Sequence, residues 1–392
     1  MLLKNLILGA GVIKSVGDLN LDITNIHSDS RKIKEGGLFF AINGFSKNGI
    51  EFIENAIEKG AKAIIVEKDE DVQILNKKYE MPIISVEDTR KALAKVACNF
   101  YDNPSKKLKL IGVTGTKGKT TSTFMIKSIL EAHGLNVGLI GSIAVYINEE
   151  KIEDTDRTTP ESIDIQKYLS LMVDRKVDVA VIEVSSQAMK LSRVEGCDFD
   201  VALFTNLSED HISPKEHPSM EDYFNCKLKL LRLAKHAVIN NDDKKVKTIK
   251  EILPDKDIKT FAIDEMADFK VNPSNVVITD SYIDFSVMYK GKEERIEACI
   301  PGRFSIYNAT GAIAVCSYFD VTAEEIRKAL KNLKVLGRSE LVPNKLGLTI
   351  MIDYAHTPSS LESILTAVKS YAKGKIICAW GVGGDRDAAK RP

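Results

Sequence analysis

Residues 108–121 read Leu-Lys-Leu-Ile-Gly-Val-Thr-Gly-Thr-Lys-Gly-Lys-Thr-Thr, with glycines at 112, 115 and 118 and a Lys119-Thr120-Thr121 end. The first part is an apolar, β-branched run suited to a buried strand, and residues 120–133 carry helical spacing. A glycine-rich turn between strand and helix lets backbone N–H groups curl around phosphate oxygens, backed by the positive end of the helix dipole. Lys119 adds a point charge, and the Thr120 hydroxyl suits Mg2+. The spacing departs from the strict G-x-x-x-x-G-K-[ST] form, because Val113 stands five residues before Gly118. The strand–loop–helix setting still marks this stretch as a nucleotide phosphate loop.

Outward from the loop, the pattern of an α/β domain with a mostly parallel sheet continues. Residues 177–184 and 201–206 are short apolar runs, and 221–234 and 306–319 are amphipathic helices. Thr322 with Glu325 forms a capping box, and the alternation over 276–289 predicts an antiparallel hairpin at a sheet edge. Upstream, 37–42 and 61–67 read as strands, with helices over 50–59 and 90–101. The polar stretch Asp102-Asn103-Pro104-Ser105 reads as a linker. After Leu336-Gly337-Arg338 come a strand over 348–354, a helix over 358–371 and a strand over 376–381. The expected domains are 1–104, 105–336 and 337–392. One β-α-β unit cannot bury both faces of its sheet, so the last domain is expected to be truncated and turnover by this chain poor.

Composition narrows the class. The chain has 392 residues, 44% of them hydrophobic and 28% charged, which suits two or three globular domains and excludes a disordered or fibrous protein. Lys+Arg and Asp+Glu both number 55, so there is no basic excess for nucleic acid or an anionic membrane. There is no apolar run of about 18 residues and no secretory cleavage signal. The six scattered cysteines read as buried free thiols of a cytoplasmic protein.

The loop Gly115-Thr-Lys-Gly118-Lys119-Thr120-Thr121 is similar to that of the Mur ligase and folylpolyglutamate synthetase superfamily. Ser28-Asp-Ser-Arg31 and Gly36-Gly-Leu-Phe-Phe-Ala41 resemble the uridine-nucleotide domain of the UDP-N-acetylmuramyl-tripeptide synthetase branch of the Mur ligases. Thr158-Thr159-Pro160, Glu183-Val-Ser185-Ser186, Thr205-Asn-Leu-Ser-Glu-Asp-His211, Tyr307-Asn308, Gly337-Arg338 and Asp353-Tyr-Ala-His356-Thr-Pro358 follow in that family's order.

The resemblance implies a three-domain fold. Its parts are an N-terminal uridine-binding domain, a central phosphate-loop ATPase domain and the start of a Rossmann-like C-terminal domain. It also implies an ATP- and Mg2+-dependent amide-forming ligase of peptidoglycan precursor synthesis, expected to be a cytoplasmic monomer. The acceptor is UDP-N-acetylmuramoyl-L-alanyl-D-glutamate, activated as an acyl phosphate. The incoming amino acid is a diamino acid, with meso-diaminopimelate favoured over L-lysine because Arg386 matches the group that grips its distal carboxylate.

In that scheme Lys119, Glu183, His211 and Lys227 are catalytic, and Thr120, Glu183, His211 and Lys227 hold metal, Lys227 as an N-carbamate. On its residues alone Lys227 reads as a solvated helix position, and His217 as loop architecture. ATP falls to residues 115–121, namely Gly115, Thr116, Lys117, Gly118, Lys119, Thr120 and Thr121. Asn308 joins them at the adenine, Arg338 at the phosphates, Asp353 at the ribose and His356 at the adenine face. The acceptor falls to Ser28, Ser30, Phe45, Ser46, Lys47, Thr158, Thr159, Ser185 and Arg193. Two other readings stay open: a sibling or folate-type ligase, and a non-catalytic nucleotide-binding fragment.

Overall fold

The computed structural model describes residues 1–44, 47–213 and 216–381. Two compact units emerge. One is built from Met1–Lys109, Thr159–Val177 and Val184–Asp198, the other from Leu110–Thr158, Asp178–Glu183 and Phe199–Pro392.

The first unit holds a five-stranded sheet in the order Val12–Val16, Ile83–Val86, Ala61–Glu67, Gly37–Phe40 and Asn25–His27. All neighbours are parallel except the first pair. Strand residues alternate between two cores. Leu38, Phe40, Ile65 and Ile84 pack with Leu93 and Val96 of the helix Thr89–Phe100. Phe39, Ile64, Val66 and Ile83 pack with Ile53 and Ala56 of the helix Ile53–Glu58. Covering both faces explains why these strands are continuously apolar. Asp88 starts the long helix by accepting from the Arg90 and Lys91 amides. The expected helix over 50–59 begins with a 3-10 turn, Gly49–Phe52, capped by Asn48. The linker stretch 102–105 leads into another 3-10 turn, Pro104–Lys106.

The second unit holds an eleven-stranded sheet. Its strand order is Lys292–Ala298, Ile283–Tyr289, Phe269–Ile278, Asp257–Ala262, His236–Asn240, Val201–Phe204, Lys109–Thr114, Val179–Glu183, Val137–Ile140, Ala144–Ile147 and Glu150–Asp154. The middle is parallel and both margins are antiparallel. The hairpin expected at an edge is there, extended by Lys292–Ala298. Lys109–Thr114 lies near the centre, and Gly112 lets it approach its neighbours: a Cβ there would lie 2.9 Å from both Leu230 and Phe199. The helices Lys119–Ala132, Arg303–Cys316 and Ala323–Lys331 cover one face, contributing Met125, Ile129, Ile313 and Leu330 to its core. Thr322 and Glu325 form the expected capping box.

Beyond Gly337, Glu340–Leu341 pairs with Met351–Ile352, and the helix Pro358–Tyr371 starts at its Thr357 cap. The strand expected over 348–354 shrinks to two residues, and the one expected over 376–381 is absent. A strand exists only where a neighbour supplies its ladder, and residues 376–381 have none among the described residues. The cysteines are free, as expected, but Cys299 is only partly buried and Cys378 is exposed. Among the described residues no helix is long and apolar enough to cross a membrane.

Candidate functional site

The phosphate loop leaves the C-terminal end of its strand, where open α/β sheets collect ligands. Gly115 and Gly118 take φ of 148° and 85°. Side chains are refused there: a Cβ on Gly115 would collide with Thr205 Oγ1, and one on Gly118 with Asn308 Oδ1. The next turn of chain braces the loop. Thr116 N donates to Asn206 O at 2.9 Å, Lys117 N to Asn206 Oδ1 at 3.0 Å, and Thr205 Oγ1 to Lys117 O at 2.6 Å.

Two ammonium groups meet on this loop. Lys119 Nζ donates to Gly115 O at 2.9 Å and Thr116 O at 3.1 Å, and Lys227 Nζ donates to Gly115 O at 2.8 Å. Lys227 is 1% exposed, whereas Lys229 is exposed on the same helix, Met220–Leu233. This corrects the solvated reading of Lys227: residues 223, 224, 226, 227, 228, 230 and 231 form the buried stripe, and position 227 falls inside it. Burial, then the charge of Lys119, holds the Lys227 ammonium well below the usual lysine range. Burial also lowers Lys119 and, with smaller effect, nearby Asp210 and Glu183 oppose it. The Tyr223 ring lies 4.2 Å from Lys227 Nζ, and its hydroxyl donates to Thr116 Oγ1 at 3.2 Å.

Glu183 ends its strand fully buried. Its carboxylate accepts from Thr120 Oγ1 at 3.0 Å, from Ser142 N at 2.8 Å and from Ser142 Oγ at 3.1 Å. Burial pushes this carboxyl up, opposed by the Ser142 amide and by Lys119. Arg338 donates to Thr120 Oγ1 at 3.1 Å and stacks over Tyr354 at 4.6 Å. Asn308 sits against the loop, with Ser122 Oγ 3.5 Å from its Oδ1. Lys119, Thr120, Glu183, Lys227, Asn308 and Arg338 therefore converge.

The remaining expected groups are spread more widely. His211 has φ of 60°, pairs with Glu216 at 2.9 Å and lies 6.0 Å from the Tyr223 ring. Both Asp353 oxygens accept backbone amides, from Ser339 and Ala355 at 2.8 Å. His356 Nδ1 rests 2.9 Å from Tyr354 O. Thr158 Oγ1 lies 3.1 Å from Ser142 Oγ. In the first unit, Thr159 Oγ1 accepts from Ser185 N at 3.0 Å, and Arg193 reaches Thr159 O at 3.1 Å and Glu161 at 2.9 Å. Elsewhere in that unit Asp29 caps the turn Ser30–Lys32 and is gripped by the Arg31 fork, with Ser30 buried and Ser28 half-buried. Lys47 stands 5.5 Å over the Phe52 ring. Phe45, Ser46 and Arg386 lie outside the described residues.

Sequence reading assigned no role to Ser142, Thr205, Asn206 or Tyr223. Gly141-Ser142 closing an apolar strand was a visible signal, since a Cβ on Gly141 would collide with Glu183. Tyr223 carried no signal beyond its helical phase.

The donor set fits a phosphate chain and a hard cation. Loop amides, the Lys119 ammonium and a guanidinium suit phosphate oxygens, and a buried carboxylate beside two hydroxyls suits Mg2+.

Family models match along the chain: the Mur ligase family, catalytic domain, over residues 22–101, the Mur ligase middle domain over 113–316, and the Mur ligase, glutamate ligase domain over 337–392. The chain is 44% identical to UDP-N-acetylmuramoyl-L-alanyl-D-glutamate--2,6-diaminopimelate ligase 1 of Clostridium acetobutylicum, covering 96% of this chain and 76% of that one. It is 44% identical to the corresponding ligase of Clostridium botulinum, covering 99% and 79%. A solved UDP-N-acetylmuramoyl-L-alanyl-D-glutamate--2,6-diaminopimelate ligase shares the fold with a TM-score of 0.80 at 23% identity, covering 100% of this chain and 78% of that one. A MurF ligase from Thermotoga maritima in complex with ADP gives 0.59 at 18% identity, covering 88% and 74%.

Proposed function

The chain belongs to the Mur ligase family, and on that premise we propose how its residues divide the work of an ATP-dependent ligase. The reaction adds meso-diaminopimelate to UDP-N-acetylmuramoyl-L-alanyl-D-glutamate in peptidoglycan precursor synthesis. The working domains are 1–104 for the uridine nucleotide, 105–336 for ATP, and the Rossmann-like part from 337 onward. The setting is the cytoplasm.

When bound, ATP supplies the γ-phosphoryl group and Mg2+ screens its charge. The carboxylate oxygen of the peptide attacks that phosphorus and ADP leaves; the amine of the diamino acid then attacks the acyl carbon, loses a proton and releases phosphate. Positioning and charge neutralisation are the protein's share. Loop amides of residues 115–121 and Lys119 hold phosphate oxygens, with Arg338 added from the chain beyond Gly337. Glu183 and the Thr120 hydroxyl hold Mg2+, oriented by Ser142. His211 and Lys227 serve a second cation position, Lys227 as an N-carbamate. A buried lysine kept neutral is nucleophilic enough to take up CO2, which turns a misplaced cation into an oxygen ligand. Asn308, Asp353 and His356 complete the nucleotide contacts. Ser28, Ser30, Phe45, Ser46, Lys47, Thr158, Thr159, Ser185 and Arg193 hold the acceptor, and Arg386 the diaminopimelate.

The observation that carries this reading is the convergence of Lys119, Lys227, Glu183 and Arg338 around residues 115–120. The test is equilibrium binding of ATP with and without Mg2+. The reading expects Mg2+ to tighten ATP and expects Glu183→Gln to remove that gain. A Glu183→Gln protein that keeps the full Mg2+ effect contradicts the assignment.

A further inference from the structure

Just before the helix Met220–Leu233 the chain buries a histidine to which the proposed reaction scheme gives no role. His217 is 1% exposed, and its Nδ1 lies 2.7 Å from Asp222 Oδ2. Asp222 and Cys226 sit four residues apart, one turn along the same helix face. One donor atom from each of His217, Asp222 and Cys226 falls within 4.8 Å of the others, with His217 and Cys226 buried and Asp222 half-buried.

We propose that His217, Asp222 and Cys226 form a binding site for a thiophilic divalent cation of the zinc type, distinct from the Mg2+ position at Glu183 and Thr120. An imidazole, a carboxylate and a thiolate are the donors that zinc takes in tetrahedral sites, and three protein ligands leave a fourth position for water. The sulfur sets the selectivity, because a soft thiolate favours zinc over Mg2+. Zinc bond lengths of about 2.0–2.3 Å put ligands about 3.5 Å apart, so forming the site asks the His217–Asp222 pair to part slightly and donors up to 4.8 Å apart to approach, about 1 Å of movement in each case. Binding displaces the Cys226 thiol proton to solvent and needs no redox partner.

The location gives the site a consequence. The Tyr223 ring lies 5.1 Å from the His217 ring and 4.2 Å from Lys227 Nζ. Asp222 and Cys226 immediately precede Tyr223 and Lys227 in sequence, so a cation clamping that turn restrains the helix segment that carries Lys227. The site is therefore inhibitory.

Cobalt is the probe, because a cobalt–thiolate bond gives a charge-transfer band in the near ultraviolet. The full chain, cleared of metal by a chelator, is titrated with Co2+ in the presence of excess Mg2+. The expected result is a band that saturates at one equivalent, is lost in Cys226→Ala, and is weakened at least tenfold in affinity in His217→Gln. Zn2+ should bleach it, and Zn2+ should lower ligase turnover of the parent but not of Cys226→Ala, which keeps its Mg2+-dependent activity. No band, or a band unchanged in Cys226→Ala, overturns the site. Cys226→Ser, which keeps the shape of the side chain, serves as the check should the alanine variant unfold. These spectra do not depend on catalysis, so they stand or fall apart from the ligase reading.

Discussion

Lys119 and Lys227, 108 positions apart in the chain, donate to the same acceptor, the carbonyl oxygen of Gly115, at 2.9 and 2.8 Å. Two amines on one carbonyl are costly, and after burial the charge of Lys119 lowers the affinity of Lys227 for a proton. The cost is relieved when phosphate draws Lys119 away or when Lys227 becomes an anion. The loop is thus arranged to gain most from the ligands that the reaction requires.

Replacing Lys227 with alanine should cost turnover about 100- to 1,000-fold, the scale for losing one preorganised charge-stabilising group. ATP affinity should change by less than tenfold, because the loop amides and Lys119 remain. Turnover of the parent should rise on adding bicarbonate to a CO2-depleted sample, and short carboxylates should partly restore the variant. Full activity of Lys227→Ala without any additive rules out the carbamate.

Glu183→Gln should abolish Mg2+-dependent turnover and yet stabilise the ligand-free protein at neutral pH. The sign follows from linkage. The Glu183 carboxyl is raised in the fold, so over the range between its unfolded and folded values the folded state binds the extra proton, and stability falls as pH rises through it. Glutamine escapes that loss. Thermal melts should show the variant ahead at pH 8, with the lead vanishing below the ordinary glutamate value. A lead that persists unchanged at pH 4 contradicts the cause given.

Gly118→Ala puts a Cβ at φ of 85° and against Asn308. The left-handed backbone alone costs about 1–3 kcal/mol. Both stability and ATP affinity should fall, measured by denaturant unfolding and by titration. Unchanged ATP affinity sinks the assignment of the loop.

Arg193→Lys keeps the charge but loses the fork that spans Thr159 O and Glu161. KM for the peptide nucleotide should rise roughly tenfold, equivalent to about 1.4 kcal/mol, while KM for ATP stays put. A rise in both would make Arg193 a general folding element.

What the sequence revealed and what it hid divide along physical lines. Strands 61–67 and 179–183 and the helix after Gly118 were legible because apolar periodicity and glycine punctuation are local signals. The depth of Lys227 was hidden by its charge, although its neighbours Cys226 and Leu228 already belonged to the buried stripe. Ser142 was hidden because its role comes from a carboxylate 41 residues away. The strand expected over 376–381 failed because pairing is a property of neighbours, which a single run of residues does not report.

The most direct measurement is ligation itself. The protein is incubated with UDP-N-acetylmuramoyl-L-alanyl-D-glutamate, ATP and Mg2+ together with either meso-diaminopimelate or L-lysine, and ADP and the amide product are followed by mass spectrometry. The account predicts a tripeptide nucleotide from meso-diaminopimelate, formed with one ADP per amide bond, and little product from L-lysine. Preference for L-lysine, or ADP release with no amide from either amino acid, would contradict it.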